Sequence, residues 1–168
     1  SASEAEKAAA NTRYAELNAA YNTLREPRDR LLHLLELEAG GKPKDVQRIP
    51  PGTMDLFVEV GQSCRDADEF LKRKSTAESP MLKLRLMQEG LDWLDRLQAL
   101  QVQVTAKRDE FVVELQQLNA IWDAAPAIGS PERPGALPLE RLEQLYRAMS
   151  YVARWTEQVQ ERIVQLAM

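Results

Sequence analysis

Side chains that could carry out chemistry are few in this sequence, and they are poorly spaced for it. The only histidine is His33, in a leucine-rich segment, and the only cysteine is Cys64. A zinc site needs several such ligands, and a nucleophile needs a neighbouring base. A lone cysteine usually behaves as a small buried hydrophobe. We therefore predict no catalytic residue, no metal site and no cofactor, and we expect a binding protein rather than an enzyme.

The carboxylates are arranged as they are on solvated helix faces. Glu110 and Glu114 lie four positions apart, and Glu140 and Glu143 lie three apart. Neither pair belongs to the Glu-x-x-His pattern with which helical bundles bind metals. The sequence also contains no glycine-rich phosphate-binding loop.

Charge and hydropathy narrow the classes of partner. The net charge is −4, with acidic and basic residues interleaved, so nucleic acid is not an expected partner. No apolar run approaches the ~20 residues of a membrane span, and we expect no membrane association. A single cysteine cannot form an intrachain disulfide, which fits a reducing compartment and a cytoplasmic location.

Prolines and glycines divide the chain into segments rich in Ala, Leu, Glu, Gln and Arg, which favour helices. No β-branched run alternates with period two, so the predicted fold class is all-α. The predicted helices run from about Glu4 to Arg25, Arg28 to Ala39, Thr53 past Leu71, Pro80 to Trp122, and Leu139 to Leu166. They suggest a short arm (1–41), a linker (42–53) and an antiparallel three-helix bundle (54–168).

Pro27 interrupts an otherwise helical pattern, YAELNAAYNTLREPRDRLLHLLEL, and a proline there should turn the chain between two helices. This string resembles the last part of a J domain, the module of Hsp70 co-chaperones. The continuation Leu34–Leu37 followed by Gly40 narrows the resemblance to the HscB branch, which serves iron–sulfur cluster assembly. The other matching residues are Leu17–Tyr21, Thr23, Leu24, Pro27 and Arg30.

The resemblance extends, more loosely, over the rest of the chain. HscB proteins follow the J domain with a linker and a three-helix bundle that binds the iron–sulfur scaffold protein. The resemblance thus implies that 1–41 is the C-terminal part of a J domain, and that an Hsp70-type chaperone and the scaffold protein are the partners. Carried over by position, the scaffold-binding residues would be Leu56, Phe57, Val60 and Tyr151, with Glu59 and Asp66 as a charged rim.

The sequence departs from the family in two respects. The His-Pro-Asp element that triggers ATP hydrolysis by Hsp70 is absent, and the family places it just before the part that matches residues 1–6. Either a preceding segment holds it or the J domain is degenerate, and we expect the chain as given not to stimulate Hsp70. The residues after Leu56 and Phe57 also match the family's acidic stretch poorly, and Gly61 interrupts the helix there.

An alternative function remains open. The chain could be a helical adaptor with a diverged J-like arm, dimerising through the long fourth helix and its segment QALQVQVTAKRDEF.

Overall fold

The computed structural model describes residues 3–43 and 49–168. Within these ranges the chain is helical and contains no strand, which confirms the predicted all-α class. The helices are α1 (Glu4–Arg25), α2 (Pro27–Ala39), α3 (Met54–Ser75), α4 (Pro80–Gln117), α5 (Asn119–Asp123), α6 (Arg133–Ala136) and α7 (Leu139–Ala167).

The predicted corner at Pro27 is confirmed. α1 ends at Arg25, Glu26 has an extended backbone, and Pro27 is the first residue of α2. A proline fits that position because the first helical N–H has no partner within the helix. At the other end of α2, Gly40 adopts a φ of 75°, as a glycine that terminates a helix commonly does.

Two helix boundaries differ from the predictions. α4 ends at Gln117 rather than near Trp122, and the short helix α5 follows it. The predicted loop before α7 contains the single-turn helix α6. No glycine or proline marks the point where α4 ends, so the sequence pattern runs through that break without a signal.

By its internal contacts the chain forms two compact units. Of the described residues, unit 1 holds 3–43 and Asn119–Tyr146, and unit 2 holds 49–118 and Arg147–Met168. The limits predicted from the sequence keep Asn119–Tyr146 in the C-terminal bundle, whereas its contacts place it in unit 1. The reason is a set of side-chain contacts between α2 and the α5–α6 region.

These contacts surround Glu38, at the end of α2. The Arg133 guanidinium donates to both carboxylate oxygens of Glu38, at 2.6 and 2.9 Å. The Trp122 indole N–H donates to the same carboxylate at 3.3 Å, and Arg133 also donates to the Pro126 carbonyl oxygen. Together these bonds fix the loop after α5 to α2.

Unit 2 is bundle-like, with a core drawn from α3, α4 and the second part of α7. Asp68 of α3 pairs with Arg162 of α7, and Arg73 near the end of α3 pairs with Glu89 near the start of α4. Phe57 and Asp68 of α3 contact Trp155 and Arg162 of α7 in the same order, so α3 and α7 run parallel. Glu59 and Arg73 of α3 contact Gln103 and Glu89 of α4 in the reverse order, so α4 runs opposite to both. The most deeply buried core residues are Val60, Ala67, Phe70, Leu97, Val104, Val152 and Val159.

α1 carries an apolar stripe that the described residues leave uncovered. Tyr14, Leu17, Tyr21 and Leu24 recur every three or four positions, as the sequence pattern requires of one helix face. Each of the four is nevertheless half or more exposed, and α1 has no buried residue. The helix is supported at its start by a capping box, in which Ser3 and Glu6 exchange hydrogen bonds.

Replacing Gly61 with alanine is expected to stabilise unit 2 by about 1 kcal/mol, because glycine is unfavourable in a helix interior. A Cβ at Gly61 would meet only the Arg65 side chain, at an ordinary 3.5 Å. Urea unfolding followed by circular dichroism would measure the gain. The control is Gly52→Ala: Gly52 has a φ of 74°, which strains alanine, so this variant should lose stability. A loss of stability in Gly61→Ala would contradict the prediction.

Candidate protein-binding surface

The four residues predicted for the scaffold-binding patch differ in exposure. Val60 is 1% exposed and belongs to the core of unit 2, while Leu56 is half-buried against that core. Phe57 is 39% exposed and Tyr151 is half-buried. Val60 therefore cannot present its side chain to a partner in this conformation, and the accessible part of the patch consists of Phe57 and Tyr151, with Leu56 at its base.

Helical spacing explains this division. Val60, Cys64 and Ala67 follow one another at intervals of four and three, and all three are buried, so they form the core stripe of α3. Phe57 continues that stripe by one step toward the start of α3, where the core ends. Its ring is therefore partly covered and partly accessible.

Phe57 and Tyr151 are joined by a third aromatic residue, Trp155. The ring centroids of Phe57 and Trp155 lie 6.4 Å apart, and those of Tyr151 and Trp155 lie 6.0 Å apart, both pairs being tilted. Such separations and tilts are favourable for aromatic pairs. We call Phe57, Tyr151 and Trp155 the aromatic cluster. Trp155 is nearly fully buried, so it anchors the two accessible rings in the core.

Sequence reasoning missed Trp155. It lies one helical turn after Tyr151, and that spacing places both side chains on one face of α7. The same spacing could have added Trp155 to the patch. Its pairing with Phe57 could not be found in this way, because the two residues are 98 positions apart and no local pattern links α3 to α7.

One charged group borders the cluster at Tyr151. The Arg154 guanidinium lies 5.5 Å from the centroid of the Tyr151 ring, within the range of a cation–π contact. The two carboxylates predicted for the rim have glutamine partners: Glu59 accepts a hydrogen bond from Gln103, and Asp66 accepts one from Gln62. The surface thus combines apolar rings with polar and charged neighbours, the composition typical of a protein interface.

The residues considered for chemistry are not members of the aromatic cluster. Cys64 is buried in unit 2, and burial raises the pKa of its thiol, which disfavours the reactive thiolate. His33 is half-buried in α2. Across residues 3–43 and 49–168, no group of three or more His, Cys, Asp or Glu side chains is placed to hold a metal ion.

Within the same ranges, no helix combines the length and the apolar character that crossing a bilayer requires.

Comparisons with protein-family models, with curated proteins and with solved structures found no match. The function of the surface is therefore inferred from its residues and from the resemblance around Pro27.

Proposed function

We propose that this chain is a non-enzymatic co-chaperone that binds an iron–sulfur cluster scaffold protein and presents it to an Hsp70-type chaperone in the cytoplasm. The observation that carries the proposal is the aromatic cluster. Two accessible rings, Phe57 and Tyr151, stand on parallel helices and share the buried Trp155 as a support. The resemblance assigns scaffold binding to these same two positions.

The cluster has the properties of an interface centre. Aromatic side chains bury a large apolar area and lose little conformational entropy, because they have only two rotatable side-chain bonds. Rings already held by contacts with Trp155 lose still less on binding. The Tyr151 hydroxyl and the Arg154 guanidinium add polar groups at the edge, where they favour correct orientation of the partner.

The proposal assigns scaffold binding and presentation to different units. Unit 2 carries the aromatic cluster and would hold the scaffold protein. Unit 1 contains the α1–α2 corner that resembles the end of a J domain, and the presentation step would belong to it. That step needs the His-Pro-Asp element, which this sequence does not contain.

The test is a calorimetric titration with an iron–sulfur scaffold protein from the same organism. We expect saturable binding at micromolar concentration or tighter. Phe57→Ala and Tyr151→Ala should each weaken binding about tenfold, since truncating a central aromatic residue commonly costs more than 1 kcal/mol. Circular dichroism should show unchanged helicity, because neither side chain is fully buried.

Val102→Ala is the matched control. Val102 is an exposed apolar residue of α4 that is no part of the aromatic cluster, so its loss should leave the affinity unchanged. If Phe57→Ala and Tyr151→Ala bind as tightly as the unmodified chain, the cluster is not the binding surface. If a folded chain shows no binding at all, the proposed partner is wrong.

A further inference from the structure

A second surface lies at the other end of unit 2. A groove of about 650 Å3 runs along the first half of α4, beside the last residues of α3 and α7. Its lining is mainly apolar and includes Met87, Leu91, Leu94 and Leu166, with Lys74 and Lys83 among the lining residues. We call this feature the α4 groove.

The apolar surface of α4 continues beyond the groove. Leu84, Met87 and Leu91 follow one another at intervals of three and four, and each is half or more exposed. With Met81, which is also exposed, the run spans eleven residues, or about 15 Å of helix. Methionine is flexible and polarisable, and it is common on surfaces that bind helices of varied sequence.

This geometry favours a helix over a small molecule as the occupant. Small-molecule sites usually enclose about 70–90% of the ligand surface. The α4 groove is bordered by side chains that stand largely in solvent, and its apolar run extends for nearly three helical turns. An amphipathic helix laid along α4 would cover such a run with residues spaced three or four positions apart.

The lysine side chains that line the groove indicate the charge of the occupant. Among the described residues, no carboxylate forms an ion pair with Lys74 or Lys83, and the Lys74 ammonium donates to the Leu166 carbonyl oxygen at 3.3 Å. The carboxylate of Glu89 is engaged by Arg73 at 2.5 Å. The groove therefore presents two lysine ammoniums beside an apolar floor, on a chain whose net charge is −4.

We propose that the α4 groove binds an acidic amphipathic helix of a partner protein. The apolar face of that helix would contact Met87, Leu91 and Leu94, and its flanking carboxylates would meet Lys74 and Lys83. Phe57 and Lys74 are separated by 17 positions of α3, about 25 Å along the helix, so the groove and the aromatic cluster are different surfaces. This inference does not depend on the proposed function.

The test uses two synthetic helical peptides as probes, each with leucine on one face. One carries glutamate on the flanks and the other carries lysine at the same positions. Fluorescence anisotropy of the labelled peptides should show saturable binding of the glutamate peptide, and binding of the lysine peptide at least about tenfold weaker. The double variant Lys74→Glu/Lys83→Glu should reverse this preference.

Met87→Asp should abolish binding of the glutamate peptide without loss of helicity, because the Met87 side chain is 66% exposed. The single variant Lys83→Glu should weaken binding of the glutamate peptide, and Lys72→Glu is its control: it changes the charge by the same amount on an exposed residue of α3 outside the groove lining, and it should leave binding unchanged.

Five outcomes would overturn the proposal. Failure of the glutamate peptide to bind, or equal binding of both peptides, would exclude an acidic helix. An equal effect of Lys72→Glu and Lys83→Glu would reduce the binding to general charge attraction. Sedimentation showing a dimer that Met87→Asp dissociates would make a second copy of the chain the occupant. Displacement of the peptide by micromolar laurate would assign the groove to a long-chain carboxylate.

Discussion

Phe70→Ala should destabilise unit 2 by about 3–5 kcal/mol, the usual cost of removing a buried phenylalanine side chain. The Phe70 ring is fully buried in α3. A Cβ placed on Gly90 of α4 would touch it at 3.5 Å, and its centroid lies 6.5 Å from that of Trp93. Such close neighbours leave a cavity when the ring is lost, because α4 cannot approach α3 further without moving several core residues.

Urea unfolding of unit 2 is the measurement, and Phe57→Ala is its control. Both substitutions remove the same side chain from the same helix, but Phe57 is partly exposed and lies at the edge of the core. We expect Phe57→Ala to cost about 1 kcal/mol, far less than Phe70→Ala. Similar losses in the two variants would mean that Phe70 does not occupy the centre of the core. Since a domain is stable by about 5–15 kcal/mol, the loss expected for Phe70→Ala is a large share of the total.

The second large effect is expected at Glu38. Its side chain is 15% exposed and that of Arg133 is 12% exposed, and the two form a bidentate ion pair within unit 1. Glu38→Gln removes the negative charge and leaves the mostly buried Arg133 guanidinium without its counter-ion, and an unpaired buried charge costs more than the loss of both partners. We expect the melting temperature of unit 1 to fall by several degrees, roughly the effect of a large single-site change in a domain of this size.

The same ion pair predicts how stability depends on pH. The hydrogen bonds from Arg133 lower the pKa of the Glu38 carboxyl, burial opposes this shift, and the hydrogen bond from Trp122 assists it. In the unfolded chain the carboxyl has its ordinary pKa of 4.5. The stabilisation is therefore complete above pH 4.5 and is lost as the pH falls through the lower pKa of the folded state.

Melting curves of the unmodified chain and of Glu38→Gln, recorded from neutral to acidic pH, should converge below that window. Hydrogen exchange of the Pro27–Ala39 segment would confirm that the loss lies in unit 1. Glu4→Gln provides the control, because Glu4 pairs with Lys7 on the exposed surface of α1, where such pairs contribute little. A constant difference between the two melting temperatures at every pH would contradict the assignment of the effect to the Glu38 charge.

Much of the fold follows from the sequence because its local signals are strong. Pro27, Gly40 and Pro80 mark helix ends or starts through backbone restrictions that act within a few residues. The apolar stripe of α1 is likewise visible in the sequence. Its exposure is not, because a periodic pattern shows which face of a helix is apolar and cannot show whether another segment covers that face.

The features that the sequence could not predict are long-range. Glu38 and Arg133 are 95 positions apart, and they explain why Asn119–Tyr146 belongs to unit 1 although it follows the long helix α4. Trp155 joins Phe57 to Tyr151 only through the packing of α7 on α3. In each case the residue types are common on helix surfaces, and only the tertiary contact distinguishes them from solvated side chains.

The burial of Cys64 limits the rate at which its thiol can react with a reagent in solution. It is the only cysteine in the chain, its side chain is buried in unit 2, and its raised pKa keeps it in the unreactive thiol form while that unit is closed. A thiol reagent can therefore modify it only during openings of unit 2. The rate of modification, relative to that of a free thiol, reports the free energy of those openings. Modification of Cys64 therefore measures how often the core of unit 2 opens, without an introduced label.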